Sequence, residues 1–317
     1  MSMFSLRKPL GFRLAAATEF YRNFTPGSGM AAAAVDTLTL AFRLDGSYAP
    51  VAVALREQGD DLLVEVAGGA EQGAVAKQVG RILGLEGDAR AWLELGERDL
   101  VVGDLQREFR GFFTAAKPSP YDAATWAVIS TRMNHQQSAR IKQALARELG
   151  DALTLNGKTH FVFPSPERLR TIERFAGLPE EKVRRLRGVA QAACDGLLDA
   201  DYLRELGETR ALTELQKLRG IGPWAASAIY FRGAAPLDGL PTAEPRVLHG
   251  LASAYRLRSP SSATFQRIAV GWRPFRMWVC VLLMRHLGKT AGWHAPGLDE
   301  ERVRAGQALL RRTAPAA

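Results

Sequence analysis

The spacing of apolar positions changes character once along the chain. "DTLTLAFRL" (Asp36–Leu44) alternates apolar and polar residues, the period-two signature of a half-buried strand. "VAVALRE" (Val51–Glu57) and "LLVEVAG" (Leu62–Gly68) are two further strand candidates, and the "QGDD" between them is turn chemistry. Strands joined by such short loops imply an antiparallel sheet. A helix is expected before them, from Leu10 to about Asn23, and another after them in "EQGAVAKQVGRILGL" (Glu71–Leu85), where apolar residues recur at helical spacing. Residues 1–87 therefore read as an α+β N-terminal domain, an antiparallel sheet with two helices.

From Asp88 onward helical spacing dominates, and residues 88–317 read as an all-helical domain with short connections. Ser119 and Pro120 open a long helical stretch that breaks near Asn134. Ser165 is placed to cap a helix whose first position is Pro166. "PEEKVRRLRGVAQAACDGLL" is a further helix, and "TELQKLRGIGPWAASAIYFRG" is a helix, a tight turn and a second helix. "SATFQRIAVGWRPFRMWVCVLLMRHLG" holds two more, and "LDEERVRAGQALLRR" is expected to close the chain as a helix.

Composition narrows the function. The 317 residues are 47% hydrophobic and 24% charged, which excludes global disorder, and the net charge is +9 with Arg and Lys spread along the length. A basic globular chain suits a polyanion, nucleic acid first; a solvated arginine-rich surface would give the same count. Cys194 and Cys280 lie far apart in apolar helical contexts, too few for an iron–sulfur cluster or a Cys₄ zinc site, and both read as buried small hydrophobes. His135, His160, His249, His286 and His294 lack metal-ligand spacing, so no catalytic metal is expected. "MWVCVLLM" (Met277–Met284) is too short to span a bilayer, and the opening twenty residues lack an apolar leader segment. A soluble, cytoplasmic monomer is expected, with no membrane partner.

Two short stretches carry candidate chemistry. In "LRGIGPWAA" (Leu218–Ala226), Gly220 and Gly222 flank Ile221. Glycines there permit positive φ and close backbone approach. Amides at the start of the next helix would then form an anion site that fits a DNA phosphate, with Ile221 plugged into the core. An ordinary turn between helices, with glycines for packing, is the plainer alternative. Further on, "DGLPTAE" holds two acids, Asp238 and Glu244. Glu244 before Pro245 also suits the dipole at a helix N-terminus, and Asp238 suits a loop cap.

"LRGIGPWAA" resembles the hairpin of the helix-hairpin-helix DNA glycosylases, and the chain is most similar to their alkylpurine branch, the 3-methyladenine DNA glycosylase II type. "YDAATWAVIS" resembles the branch's first catalytic-domain helix, "FPSPERL" and "KVRRLRGVA" its later helix entries, and "GWRPFRMW" its Trp-x-Pro-x-Arg segment after the catalytic loop, so the likeness covers nearly the whole chain. It implies an N-terminal domain similar to half of the TATA-binding protein and a helix-hairpin-helix at about 211–232. It also implies that Gly220, Ile221, Gly222 and Trp224 contact duplex DNA carrying damaged bases, in the nucleoid if the source is bacterial.

The family pattern Asp-x-(Phe/Leu)-Pro-x-x-Asp, with its last Asp catalytic, reads here Asp238-Gly-Leu-Pro-Thr-Ala-Glu244. Glu244 thus takes the catalytic position, one methylene longer, and Asp238 is the second choice. A displacement on the order of 1 Å in such a group can cost roughly 10²-fold in rate. Trp224 stands where bifunctional members place a Schiff-base lysine, which implies no lyase step. The resemblance places Arg132 and Met133 in the loop that in the family fills the gap left by a flipped base; a polar helix kink without DNA contact is the plainer alternative. Trp126, Tyr230 and Trp278 are candidates for the base pocket, each equally at home in a core. Backbone carbonyls of Gln216, Leu218 and Ile221 would hold a monovalent cation, Na⁺ or K⁺, as the family's hairpins do. Two other readings stay open: a DNA-binding protein that has lost the acid, and a glycosylase with a different lesion preference.

Overall fold

The computed structural model describes residues 2–23, 31–34 and 36–291. The expected closing helix in "LDEERVRAGQALLRR", and His294, lie outside the described residues. The chain begins with strand β1 (Ser2–Arg7), helix α1 (Leu14–Asn23) and strands β2 (Ala31–Ala34), β3 (Thr37–Arg43), β4 (Pro50–Gln58) and β5 (Asp61–Ala67). Helices α2 (Gln72–Leu83), α3 (Ala89–Arg98), α4 (Leu100–Glu108), α5 (Pro120–Ser130) and α6 (His135–Leu149) follow. Strands β6 (Asp151–Leu155) and β7 (Lys158–Val162) precede helices α7 (Pro166–Leu169), α8 (Glu180–Cys194), α9 (Ala200–Gln216) and α10 (Pro223–Ile229). Helices α11 (Pro245–Ala254), α12 (Ser262–Ala269) and α13 (Arg276–Ala291) complete the described chain.

These elements form two compact units, residues 1–86 with 111–235, and residues 87–110 with 236–317. The grouping differs from a division at residues 87 and 88. Helices α3 and α4 join the C-terminal helices, with α4 against α13, while α5 to α10 stay with the sheet.

In the larger unit the sheet is antiparallel, in the order β1-β5-β4-β3-β2. Strand alternation sorts its side chains into two layers. Leu38, Leu40, Phe42, Val51, Val53, Leu55, Leu62, Val64 and Val66 fall on one face and are buried. The opposite face is built from small residues, Ala41, Ala52, Ala54 and Ala67, which pack with Leu155 and Val162. Those last two belong to β6 and β7, a hairpin that corrects the all-helical expectation for residues 88–317. Asn156 and Gly157 both have positive φ, 51° and 71°, as a two-residue hairpin turn requires. The alanines give this hairpin room to lie close, and the buried guanidinium of Arg43 fastens it, donating to the Phe163 carbonyl at 2.6 Å and to Asp151. Strand β1, also outside the sequence expectation, pairs with β5.

Helix α5 is buried on nearly every side and packs against α6, α8 and α10. Its residues are mostly apolar, and its one charged residue, Asp122, is buried and paired with Lys142. Ser119 caps it as expected, accepting from the Asp122 amide at 3.0 Å. Ser165 caps α7 with Pro166 first, although that helix is only four residues long. Cys280 is buried, but Cys194, the last residue of α8, is exposed, contrary to expectation. Among the described residues no helix is long and apolar enough to cross a membrane.

Candidate functional site

The turn between α9 and α10 lies in the larger unit. Gly207 interrupts α9 with φ 73°, so the arm entering the turn is its second half. The Leu218 amide donates to the Leu215 carbonyl and the Ile221 amide to the Leu218 carbonyl, at 3.2 and 3.0 Å. Gly220 has φ 86°, the left-handed region that glycine favours. Gly222 does not use that freedom; its φ of −87° and ψ of −177° are extended, and it serves as the N-cap of α10 with no side chain to satisfy the first amides. Ile221 is 4% exposed and anchors the turn, as expected. Trp224, 36% exposed, lies on the outer surface of the first turn of α10. Pro223 brings no amide, so the first-turn amides of α10 begin with the residue after it. Of the three carbonyls named for a cation, that of Leu218 already accepts the Ile221 amide, leaving its second lone pair. Among the described residues no group of three or more His, Cys, Asp or Glu could hold a metal ion.

A Cβ added at Gly222 would meet open space, whereas one at Gly220 would come within 2.5 Å of the Arg185 side chain. Gly222→Asp is therefore the unstrained way to place a carboxylate against an incoming phosphate. Its affinity for duplex DNA is expected to fall by about tenfold or more at low salt, with the melting curve unchanged. Anisotropy titrations of a labelled duplex measure this.

The second element of this unit is the connection between α5 and α6. Thr131 and Ser130 turn their hydroxyls back onto the carbonyls of Ala127 and Trp126, closing the helix end. Arg132 is exposed and has φ 52°, a strained value for a residue with a Cβ. Met133 is half-buried, and Asn134 caps α6 through the amides of Gln136 and Gln137. The break expected near Asn134 is thus a cap. It leaves Arg132 and Met133 at the tip.

The three aromatic candidates are all buried. Trp126 on α5 has the ammonium of Lys117 over its ring at 5.3 Å and that of Lys142 at 5.9 Å. Lys142 donates to Asp122 at 2.6 Å, and Lys117 lies 4.0 Å from the same carboxylate. Burial pushes the Lys117 ammonium down to about 7, against the pull of Asp122 and with repulsion from Lys142 and Arg232. Tyr230 begins a π-turn that prolongs α10 and packs edge-on to Phe231. Trp278, in the smaller unit, packs against Trp92 and Phe275.

The two acids also lie in the smaller unit. Both oxygens of Asp238 accept from the guanidinium of Arg276, and Arg273 stands 3.9 Å away. Asp238 therefore ties the loop before α11 to α13. Glu244 is the N-cap of α11: it accepts from the Arg246 amide at 3.1 Å and from its guanidinium with both oxygens at 2.8 Å. Its side chain is 11% exposed. An amide and a guanidinium hold one carboxylate in a defined orientation. The helix-start reading of Glu244 is the geometry observed. Arg276 stands in the "GWRPFRMW" stretch already quoted for its resemblance, though no role was attached to it; Arg246 was not singled out, although it lies two residues beyond the acid.

No family model matches the chain. It is similar to the DNA-3-methyladenine glycosylase of Bacillus subtilis (strain 168), with 23% identity over 218 residues, 67% of this chain and 72% of that protein. Its fold is similar to that of the 3-methyladenine DNA-glycosylase from Archaeoglobus fulgidus, with a TM-score of 0.72 and 18% identity over 89% of this chain and 97% of the other. It is also similar to the Clostridium acetobutylicum 8-oxoguanine glycosylase/lyase in complex with double-stranded DNA, with a TM-score of 0.57 and 15% identity over 82% and 97%. The resemblance read from the hairpin residues thus extends over most of the chain, and the fold is the one these glycosylases share.

Proposed function

We propose that the chain is a DNA repair enzyme, a glycosylase that excises alkylated purines of the 3-methyladenine type from duplex DNA by flipping the base and hydrolysing its N-glycosidic bond. The Gly220–Ile221–Gly222 turn carries this reading: exposed glycines flank the buried Ile221 at the start of a helix, an arrangement suited to a phosphate, on a fold shared with 3-methyladenine DNA glycosylases. Alkylation at a ring nitrogen makes the base cationic and already a good leaving group, so a single carboxylate suffices. Glu244 is assigned that role. It stabilises positive charge developing on the sugar and orients the water whose oxygen ends on the anomeric carbon. Asp238 is assigned a structural role because it bridges two elements through Arg276. Arg132 and Met133 would enter the duplex where the base has left. Trp224 in place of a lysine supports hydrolysis without a lyase step. Carbonyls of Gln216, Leu218 and Ile221 would hold a monovalent cation, and the sheet with α1 and α2 would correspond to the half of the TATA-binding protein that the resemblance implies.

Single-turnover assays on duplexes carrying 3-methyladenine, 7-methylguanine, hypoxanthine or ethenoadenine test this. Base release from the first two, with intact strands, is the expected result. A second reading has one observation in its favour: Arg246 occupies both oxygens of Glu244. It makes the chain a DNA-binding protein without cleavage, and tight duplex binding with no base released from any of the four would select it.

A further inference from the structure

The first turn of α8 lies between the two elements assigned to DNA. Glu181 is its hub. Its Oε1 accepts from Nε of Arg185 at 2.9 Å and from Nε of Arg219 at 3.0 Å; its Oε2 accepts from Nη2 of Arg184 at 2.9 Å and of Arg219 at 3.2 Å. Arg219 thus grips both carboxylate oxygens, and it is the residue immediately before Gly220. The stem of Arg185 lies against Gly220 itself, which is why a Cβ there would strike it. At the other end of the same turn, Lys182 donates to the Ile129 carbonyl at 2.6 Å, in the last turn of α5 before Arg132 and Met133. Hydrogen bonds from Arg184, Arg185 and Arg219 hold the Glu181 carboxyl down to about 2, so it stays ionised at any working pH.

The arrangement is accessible. Arg219 is 72% exposed and its partner Glu181 is 31% exposed. Ion pairs this open to water contribute little to stability. A guanidinium that binds a carboxylate through two parallel N–H donors offers the same fork to a phosphate. We propose that Arg219 and Arg185 bind a backbone phosphate of duplex DNA beside the Gly220–Gly222 turn, and that Glu181 holds their guanidiniums in place in the free protein and yields Arg219 to that phosphate on binding. The carboxylate keeps Arg184 and Arg185, so no charge is left unpaired by the exchange. Glu181 thereby sets how tightly undamaged DNA is held: it preorganises the fork and competes with the phosphate for it. The inference rests on the hairpin's being a DNA-binding element.

The test is anisotropy titration of the full chain with an undamaged labelled duplex over a range of salt concentrations. Arg219→Ala is expected to weaken binding several-fold and to reduce the salt slope by about 1. Glu181→Gln is expected to tighten binding several-fold, and the gain should disappear in the Arg219→Ala background. Glu180→Gln removes the same charge one residue away, from a side chain bonded to Arg184 alone among these arginines, and should change affinity much less. Equal effects of Glu180→Gln and Glu181→Gln would reduce the result to bulk charge and overturn the proposal, as would a Glu181→Gln gain that survives without Arg219. If Gly222→Asp weakens binding while the Glu181 and Arg219 variants match wild type, the hairpin reading stands and this inference falls. Wild type that fails to bind duplex overturns both.

Discussion

Glu244→Gln is expected to slow base release in a single turnover by roughly 10²–10³-fold, with binding to lesion-bearing duplex retained. The substitution keeps the shape of the side chain and its place as N-cap, since the amide oxygen still accepts the Arg246 amide. What goes is the negative charge that the proposed mechanism sets against the developing sugar cation. Arg246 makes the result more informative, because it neutralises part of that charge before substrate arrives. If the pair loosens when DNA binds, the full charge is released to the reaction and the loss is at the upper end of the range. Glu244→Asp separates two histories of the site: slower excision means the surroundings are built for the longer side chain, and faster excision means that Glu is a poor substitute for Asp. Asp238→Asn belongs beside them. It should lower the melting temperature, by loosening the tie to Arg276, and leave the chemistry largely intact. Loss of excision in Asp238→Asn with folding and binding unchanged, together with full activity in Glu244→Gln, would move the acid six residues earlier.

Lys117→Met is expected to stabilise the protein at pH 7 and to remove a pH dependence of stability. Burial lowers the folded-state pKa of this lysine to about 7, while an unfolded lysine titrates near 10.4. Between those values the unfolded chain binds the extra proton, so wild-type stability rises with pH through that window. Below pH 7 both states are protonated and the full penalty of the buried ammonium is present. The stability difference between variant and wild type should therefore be largest at and below pH 7 and shrink by a few kcal/mol, roughly, towards pH 10. Two contacts work against the gain. The ammonium lies over the Trp126 ring, worth about 0.5–2 kcal/mol, and it faces Asp122. Asp122 keeps Lys142 at 2.6 Å, so the variant does not strand a buried carboxylate. Urea melts at pH 6, 7, 8.5 and 10 decide the matter; a difference that stays constant across the series, or a variant less stable at pH 6, would contradict it.

Features governed by neighbours a few positions apart were legible in the order of residues. Ser119 and Ser165 cap helices that begin with proline, and the helical stretch breaks at Asn134. The Gly220 turn buries Ile221, and the acids stand on either side of "GLPTA". The β6–β7 hairpin carried a local signal too, Asn156-Gly157 between alternating residues, but it was masked by the helical pattern on both sides. Strand β1 had no such signal. Its six residues become a strand because β5, more than fifty positions away, offers them an edge.

The site divides along the same line. Residue order alone determined the glycine turn, the candidate acids with their spacing, the cationic surplus and the likeness to a glycosylase family, since these are properties of type and position. Packing decided which cation meets each carboxylate, that Trp126, Tyr230 and Trp278 lie inside while Cys194 lies outside, and that Glu181 gathers an arginine from the hairpin 38 residues away. Those outcomes depend on how whole helices bury their apolar stripes together. No single residue in such a contact carries enough of that free energy to announce its partner.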